Sequence, residues 1–414
     1  MAQARTARGH TTVKTPNRTP VSYGPQVQPV RKKKPKRGIF GITTNMDMGI
    51  LTLTLILVGI GIIIVFDASY YSAMYSTTAN NNPLFYFNKQ LFGAAIGIVV
   101  MFGASLINYW KYRKLSFWIL GFAILLLALV WIPGIGTFKN GARRWFDVFG
   151  VSVQPAEIFK PALIMYMASF LAANRDELHK FSVGVVPFLI ILVISCVFIF
   201  LQPNVSTIFY ICILTFMMML LGGVRPKHLM VLVALAAVGV AALVIIDVFG
   251  AGTYRTGRYF AFVDPFADPG GDGFQLVQAQ YAIASGGLFG KGFGQSAQKL
   301  LFMPYSESDM IFAIIAEEFG LAGCAFLIGI YGLLIARGLR VAKRCRDLYG
   351  SLLASGMTVL LGLQFLFHVS VVTGVVPPTG IPLPFISAGS TSLIIFMGAV
   401  GILLNISKHV SLEA

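Results

Sequence analysis

Carboxylates are rare in this chain, and one short stretch concentrates them. Asp and Glu account for 16 of 414 residues, and YSESDMIFAIIAEEFG (305–320) contains Glu307, Asp309, Glu317 and Glu318. Asp309 stands just before an apolar run, where the dipole of a helix N-terminus favours an acid, so a helix cap is one interpretation. Glu317 and Glu318 would lie further into that helix, where ionisable groups are costly and usually paired or functional. A general base is typically a carboxylate, so the acids of this stretch are candidates for catalysis.

A second charged group occupies the start of another apolar run, QPAEIFK (154–160). Glu157 and Lys160 are three residues apart and therefore share one face of a helix. One interpretation is an ion pair at the helix start. The other is a binding site, in which Lys160 and Arg144 meet a phosphate while Glu157 orients the lysine. The candidate binding residues of this region are Gln154, Glu157, Lys160, Arg143 and Arg144.

A glycine-rich segment, GGLFGKGFGQSAQKL (286–300), precedes the acidic stretch. Its GxGxG spacing is a weak signal of a phosphate loop, because no strand precedes it and no GKS or GKT follows. Glycine permits close approach of the backbone, so we expect a loop that lies over a ligand, with Lys291 as a binding candidate. Gln275, at the end of the aromatic and Asp-rich segment 253–275, is a further binding candidate, although the aspartates there are typical of turns.

These residues need a scaffold, and the composition indicates a membrane-embedded one. The chain is 56% hydrophobic and 12% charged, with a mean hydropathy of +0.77, whereas soluble proteins average about 25% charged residues. Continuous apolar runs of about 17–25 residues favour spanning helices. We predict an all-α, polytopic membrane protein with about ten transmembrane helices and a large extracellular loop between helices 7 and 8, at about 249–309. The predicted spans are 48–66, 91–108, 115–133, 158–173, 182–201, 207–221, 229–248, 311–337, 351–372 and 389–405.

The distribution of charge predicts the orientation. Ten of the 32 Lys and Arg residues lie before Gly38, and no acid precedes Asp47. We therefore predict that 1–46 is a disordered, basic cytoplasmic tail drawn to anionic lipid; nucleic-acid binding by its RKKKPKR run is the weaker alternative. The even-numbered connections are also basic, which places both termini in the cytoplasm. The ten-helix domain then covers 47–408, followed by a short cytoplasmic C-terminus at 409–414.

One predicted outer connection, 136–157, carries cations where the positive-inside rule expects few. An anionic substrate would explain Arg143 and Arg144 there. A carboxylate base, nearby cations and helices that can hold lipid tails together fit a polyprenyl-diphosphate sugar donor. A transporter for an anionic solute fits the same features. The 4 cysteines show no metal-ligand or disulfide spacing, so no metal site is expected.

Several motifs follow one another along the chain: Asp67-Ala68-Ser69, Gly141–Trp145 (GARRW), Gln154–Lys160, Gly286–Leu300 followed by Asp309–Ala313 (DMIFA), and Pro378–Ser387. In this order they resemble the motifs of the SEDS family (shape, elongation, division and sporulation). The resemblance covers nearly everything after about Asp47, and the order and spacing make it specific. The loop spelling RYFAFVDPFADPGGDGFQ favours the FtsW or SpoVE type over RodA.

The resemblance implies an activity. Members of this family polymerise lipid II into glycan strands on the outer face of the bacterial cytoplasmic membrane, together with a class B penicillin-binding protein. Under it, Asp309 would be the catalytic base that deprotonates the 4-hydroxyl of the acceptor sugar, while Glu157, Lys160 and Arg144 would organise the site and its diphosphate. Glu317 and Glu318 resemble the family's acidic pair and would support the site or its helix. A divalent cation at the diphosphate is a further expectation. The expected partners are this transpeptidase, other division proteins, lipid II and membrane lipids, with no nucleic acid.

Some motif positions depart from the family pattern, while the position of the base is retained at Asp309. An active septal glycosyltransferase is therefore the leading hypothesis. The alternative activities are a lipid II flippase and a non-catalytic scaffold of the wall-synthesis complex. The alternative biological roles are sporulation and elongation. The departures are Asn204, Ser206, Tyr305, Glu307, His368 and Ala388.

Overall fold

The computed structural model of the chain describes residues 46–132, 134–139, 142–148, 151–202, 204–234, 238–239, 262–271, 273–300 and 302–410. By its internal contacts the chain divides into two units, Met1–Thr44 and Asn45–Ala414. The predicted basic tail, except for Met46, lies outside the described residues, as does most of the predicted C-terminal segment. All described residues belong to the second unit.

The second unit is built from long, apolar α-helices. Nine helices among the described residues have the length and composition to cross a membrane, with α5 and α6 counted as one span. This confirms the polytopic, all-α architecture. The predicted span 229–248 is described as helix only at 226–234 and 238–239. The helices are α1 (Met48–Met74), α2 (Phe85–Leu106), α3 (Tyr109–Leu129), α4 (Pro155–Ala173), α5 (Phe181–Gly184), α6 (Val186–Leu201), α7 (Val205–Gly222), α8 (Phe274–Gly286), α9 (Ile311–Arg344), α10 (Leu348–Val372) and α11 (Ser390–His409).

Local sequence explains where several helices begin and end. Asp47 caps α1, because its Oδ1 accepts hydrogen bonds from the backbone N–H of Gly49 at 2.9 Å and of Ile50 at 3.1 Å. Pro155 occupies the first turn of α4, where a missing N–H is harmless. The first helix runs beyond the predicted end at residue 66 to Met74. Asp67 therefore lies on α1 and not in the connection that follows it.

The interior of the bundle is formed mainly by α10 and α11. In the most apolar 18-residue stretch of each helix, 78% of α10 and 72% of α11 are buried inside the protein, compared with 22% of α3. α2 packs along α11, α9 along α10, and α3 along α4. Large apolar side chains on the outer helices, such as Phe117 and Trp118 of α3, are exposed. A bilayer would cover these side chains, so the exposed apolar surface agrees with a spanning bundle.

The two predicted outer connections contain secondary structure that the sequence analysis missed. Strands β1 (Thr137–Lys139), β2 (Ala142–Val148) and β3 (Val151–Val153) form an antiparallel sheet in the order β1–β2–β3. Helix α8 lies inside the predicted loop 249–309 and packs against α9. Two of the three strands, β1 and β3, have only 3 residues each, too short an alternation to be recognised in a sequence. The sheet contacts the bundle through β3 and α11.

Candidate active site

The acidic stretch leads into α9, and its members have different surroundings. Glu307 is buried, and its Oε2 accepts hydrogen bonds from the hydroxyls of Ser72 at 3.4 Å and Ser306 at 3.5 Å. Its burial raises the pKa of the carboxyl above the ordinary value. The backbone N–H of Ala388 donates to the Glu307 carbonyl at 2.9 Å. Asp309 is partly exposed, two residues before the first residue of α9.

The segment 378–388 is distant from Asp309 in the sequence but lies beside it in the structure. The Ser387 hydroxyl donates to the carbonyl of Ser308 at 2.6 Å. A Cβ built on Gly380 would lie 3.4 Å from Asp309 Oδ2, so the backbone of this segment approaches the carboxylate closely. The motif around Asp309 and the motif Pro378–Ser387 are therefore far apart along the chain but adjacent in the structure.

A kink in α9 receives the glycine-rich segment. Gly320 has φ 64° and ψ −162° within the helix, a conformation that essentially only glycine adopts. The kink frees backbone groups of α9, and residues 287–292 supply their partners at 2.9–3.0 Å. These bonds run from the N–H of Lys291 to Glu317 O, of Gly292 to Glu318 O, of Leu321 to Gly287 O and of Ala322 to Leu288 O.

The side chain of Glu317 holds the same segment. Its Oε1 accepts from Lys291 Nζ at 2.6 Å and from the backbone N–H of Ala297 at 3.1 Å, and its Oε2 accepts from the Ser296 hydroxyl at 2.5 Å. Glu317 is buried, whereas the Lys291 side chain is 37% exposed. Glu317 therefore holds the glycine-rich segment in place, and Lys291 lies at the boundary between the protein interior and its surface.

Glu318 belongs to a second, more enclosed contact. Lys299 Nζ lies 2.7 and 2.8 Å from the two carboxylate oxygens of Asp67, and 2.7 Å from Glu318 Oε1. The Lys299 side chain is only 3% exposed. This lysine joins α1, the glycine-rich segment and α9. We call Asp67, Lys291, Lys299, Glu317 and Glu318 the carboxylate–lysine network.

The Glu157–Lys160 pair forms as the spacing predicted, inside the bundle. Lys160 Nζ lies 2.5 Å from Glu157 Oε1 and 3.2 Å from Gln364 Oε1. It also lies 4.5 Å from the centre of the Tyr210 ring, a favourable cation–π position. Gln364 Nε2 in turn donates to the Pro382 carbonyl at 3.1 Å. The pair is thus connected, through Gln364, to the segment that frames Asp309.

Enclosure limits what this pair can touch. Lys160 is 2% exposed, and Glu157 is buried. The second oxygen of Glu157, Oε2, has no hydrogen-bond partner within the described part of the chain. Because the ammonium is enclosed, its arrangement fits a positioning role better than direct contact with a diphosphate. Substrate binding by Glu157 and Lys160 stays a prediction.

The other binding candidates lie at separate points. Arg144 is on β2, and its Nε donates to the Gln202 carbonyl at 2.9 Å. Arg143 is beside it and half-buried. Gln154 is the residue before α4, where its carbonyl accepts from the Glu157 N–H at 3.0 Å. Gln275, on α8, donates from Nε2 to the Pro304 carbonyl at 3.2 Å, just ahead of the acidic stretch.

Sequence reasoning did not single out Lys299, Gln364, Tyr210 or Ser296, and it named Asp67 only as part of a motif. Lone charged residues next to apolar runs were an available signal for Asp67 and Lys299, since such charges need partners. Gln364 and Tyr210 carried no signal, because single polar residues within apolar helices are common. Among the described residues, no group of three or more His, Cys, Asp or Glu side chains is placed to hold a metal ion.

The fold and the site together define a polytopic helical membrane protein with buried networks of carboxylates and lysines between its helices. The FtsW, RodA and SpoVE family, described as "Cell cycle protein", matches residues 48–412. The chain belongs to this family, which confirms the resemblance inferred from the motifs.

Named relatives agree with this membership. The chain is 37% identical over 366 residues to "Stage V sporulation protein E" of Bacillus subtilis (strain 168), covering 88% of this chain and 98% of the relative. It is 35% identical over 364 residues to "Probable peptidoglycan glycosyltransferase FtsW" of Geobacter metallireducens, covering 88% of this chain and 95% of the relative. Similarity therefore extends to both the sporulation and the FtsW types.

Solved structures share the fold. One chain of "Structural coordination of polymerization and crosslinking by a peptidoglycan synthase complex" superposes with a TM-score of 0.72 at 26% identity, covering 88% of this chain and 98% of that chain. Rod shape determining protein RodA of Thermus thermophilus superposes with a TM-score of 0.62 at 23% identity, over 88% of this chain and 98% of RodA. The second similarity concerns the fold alone.

Proposed function

We propose that this protein is a peptidoglycan glycosyltransferase that polymerises lipid II into glycan strands on the outer face of the cytoplasmic membrane. The names of the FtsW relatives support this activity. A role in septal wall synthesis follows from the same relatives, while the similarity to the sporulation protein keeps a sporulation role as the alternative within the same chemistry.

The observation that carries the assignment of the base is the contrast among the four acids of the stretch 305–320. Glu307, Glu317 and Glu318 are buried and hold internal contacts. Asp309 is partly exposed at the start of α9, beside the glycine-containing segment 378–388. Of these four carboxylates, Asp309 is therefore the one that is not buried, and the one that a substrate hydroxyl can approach most directly.

The proposed reaction uses Asp309 as the general base. Its carboxylate takes the proton of the acceptor 4-hydroxyl as that oxygen attacks the anomeric carbon of the donor sugar. The bond from this carbon to the diphosphate oxygen breaks, and the leaving polyprenyl diphosphate carries away the electron pair. Cations stabilise the developing negative charge; Lys291, which is part-exposed, and Arg144, on β2, are the candidates. Glu157 and Lys160 position the segment that frames the base.

A divalent cation at the diphosphate is part of the proposal. Mg²⁺ usually retains several waters and binds through substrate phosphates with one or two carboxylates. The described residues lack a larger acidic cage, so the diphosphate oxygens would supply most of the ligands. Loss of polymerisation on chelation, with recovery on adding Mg²⁺, would support this arrangement.

The proposal also includes a partner and an orientation in the membrane. A class B penicillin-binding protein is the partner of choice, since a structural neighbour comes from a peptidoglycan synthase complex. The basic connections favour cytoplasmic termini and a site that faces outward. The 4 native cysteines are first replaced by serine. Labelling of a single cysteine, then introduced at position 264 in the proposed outer segment or at position 346, with an impermeant reagent on intact cells tests this orientation.

The test of function compares Asp309→Asn with the wild-type protein, each purified with its transpeptidase partner and supplied with lipid II. General-base catalysis contributes about 10²–10⁴-fold, so polymer formation should fall by about that factor. Asp264→Asn is the matched control, because Asp264 is an exposed acid in the preceding outer segment and should leave the rate unchanged.

Equal polymer from wild type and Asp309→Asn would remove Asp309 from the role of base. Transfer of lipid II across liposomes without polymer would favour a flippase. Normal growth of an Asp309→Ala strain that still depends on the protein would favour a scaffold.

A further inference from the structure

The segment 378–388, which frames Asp309, contains neither helix nor strand, and its residues 383–387 are buried. Backbone carbonyls that are shielded from water need hydrogen-bond donors. Four carbonyls of this segment accept from side chains of the surrounding helices, and we call these four donor side chains the carbonyl cradle. The bonds run from His368 Nδ1 to Ile381 O at 2.9 Å, from Gln364 Nε2 to Pro382 O at 3.1 Å, from Gln90 Nε2 to Ser387 O at 3.3 Å and from the Tyr331 hydroxyl to Pro384 O.

The cradle is made of buried side chains that come from three helices. Each of the four donors is 0–1% exposed, and a buried polar side chain is costly unless it finds a partner. His368 and Gln364 are four residues apart on α10 and share one face of it, so they meet two consecutive carbonyls. Gln90 lies on α2 and Tyr331 on α9. The irregular segment is thus held by three helices that are distant from one another in the sequence.

Phe385, between two of the accepting carbonyls, has a backbone conformation that the segment would rarely adopt alone. Its φ is 66°, in the left-handed region that bulky residues avoid, and its side chain is buried. Such strain persists only where the surroundings determine the conformation, and it concentrates at active sites. The cradle supplies this support, because its bonds to Pro384 and Ser387 flank Phe385.

The same segment is bonded to the two residues that precede Asp309. The Ser387 hydroxyl donates to Ser308 O at 2.6 Å, and the N–H of Ala388 donates to Glu307 O at 2.9 Å. A shift of the segment would therefore move the backbone immediately before Asp309.

We propose that the carbonyl cradle positions Asp309 for glycosyl transfer, with His368 as its principal positioning residue. Because the Ile381 carbonyl can only accept, Nδ1 of His368 carries a proton. Its Nε2 has no hydrogen-bond partner among the described residues, so the bond to Ile381 is the polar contact through which this ring acts. Gln364, in contrast, also accepts from Lys160 at 3.2 Å. The inference rests on the proposed function, since Asp309 acts as the base only in that reaction.

The experiment uses the full-length protein with its transpeptidase partner and lipid II, and adds hydrogen exchange of segment 378–388 measured by mass spectrometry. His368→Leu removes the donor, whereas His368→Asn retains one, because the amide nitrogen of Asn and Nδ1 of His lie the same number of bonds from Cβ. We expect His368→Leu to lower kcat about 10- to 100-fold, as for a reacting group misplaced by up to about 1 Å, while KM for lipid II stays within about twofold of wild type. Exchange in the segment should become faster, and His368→Asn should restore most of both properties.

Tyr331→Phe tests the cradle at a second point, and replaces His368→Leu if that variant does not fold. It removes only the hydroxyl donor to Pro384, since the ring can stay stacked on Phe365, 4.2 Å away between centroids. It should likewise lower kcat, leave KM unchanged and accelerate exchange. Leu353→Ala is the matched control, because Leu353 is buried on the same helix, about 22 Å from His368 at 1.5 Å per residue. The control should lower Tm without changing kcat.

An equal loss of kcat in Leu353→Ala would attribute the effect to general destabilisation and overturn the proposal. So would a wild-type kcat in His368→Leu, or a loss in His368→Asn as large as in His368→Leu. A rise in KM with unchanged kcat would make the segment a substrate-binding element instead of a support for Asp309. Unchanged exchange in both cradle variants would overturn the cradle itself, whether or not the wild type forms polymer. Absence of polymer from the wild type would overturn the proposed function and the positioning role with it, while the exchange rates would still show whether these side chains hold the segment.

Discussion

Lys299 should contribute strongly to the stability of this protein, because it is enclosed between two carboxylates. Its ammonium lies within 2.8 Å of both oxygens of Asp67 and within 2.7 Å of Glu318 Oε1, and its side chain is 3% exposed. The substitution Lys299→Met retains an unbranched chain of similar length but removes the charge. Two carboxylates would then be left enclosed without their common cation.

The magnitude follows from the geometry. Removing one partner of a buried ion pair costs about 3–5 kcal/mol, because the remaining charge loses its compensation. Two acids depend on Lys299, so the upper part of this range is expected. At about 2 °C per kcal/mol for a long chain, Tm should fall by about 8–10 °C.

The assay is thermal unfolding of the detergent-solubilised protein, with Lys291→Met as matched control. Lys291 belongs to the same segment and also pairs with a glutamate, but its side chain is 37% exposed. Glu317 retains its contacts with Ser296 and Ala297 when Lys291 is changed. The control should therefore cost about 1 kcal/mol or less.

A double variant tests the reasoning directly. If the penalty comes from the unpaired acid, Asp67→Asn combined with Lys299→Met should be more stable than the sum of the single effects by about 1–3 kcal/mol. Additive effects of the two substitutions would refute a direct coupling. Equal losses for Lys291→Met and Lys299→Met would refute the argument from burial.

Three further predictions concern other parts of the site. Lys160→Met should cost about 3–5 kcal/mol in thermal unfolding, since it leaves Glu157 enclosed without a cation. Glu307→Gln should alter the dependence of Tm on pH. Burial raises the pKa of Glu307 above 4.5, so its contribution to stability is fully present below that pH and is lost as pH rises through the raised pKa; the variant should show a smaller fall over this window. Gly320→Ala should cost about 1–3 kcal/mol, because its φ of 64° lies where a side chain is strained, whereas Gly329→Ala in the same helix should be neutral or stabilising.

Each of these has a result that would contradict it. A Lys160→Met protein as stable as wild type would show that Lys160 does not stabilise the buried carboxylate of Glu157. An unchanged pH profile for Glu307→Gln would show that the group does not titrate differently on folding. Equal Tm values for the two glycine variants would remove strain at the kink as the explanation, since a Cβ on Gly329 meets nothing within 4 Å.

The helical architecture could be predicted because each span is a local property of the sequence. The apolar runs predicted the helices. The three-residue spacing of Glu157 and Lys160 correctly predicted that the two side chains share one face of a helix and contact each other. The pairing of Asp67 with Lys299 could not be predicted in this way, because 232 positions separate the two residues. Their contact depends on how α1 packs beside α9, which the pattern of a single segment does not contain.

The end of the first span shows a different limit. The apolar run becomes less continuous after residue 66, so Asp67 was assigned to a connection, whereas α1 continues to Met74. Within the helix, Asp67 pairs with Lys299. By hydropathy alone, an acid predicts the end of a membrane span. The ion pair offsets the cost of keeping this acid within the helix.

The kink in α9 and the glycine-rich segment explain each other. A kink at Gly320 frees backbone carbonyl and N–H groups, which need partners wherever water is excluded. Residues 287–292 supply those partners, and their glycines allow the backbone to come close enough. The carboxylate–lysine network then fixes the same segment through its side chains. Because only a short stretch of chain separates Lys299 from Asp309, displacement of this segment should be transmitted to Asp309, the proposed base. Lys299→Met should therefore lower the rate of lipid II polymerisation even at temperatures where the fold persists, and an unchanged rate would show that Asp309 is positioned by segment 378–388 alone.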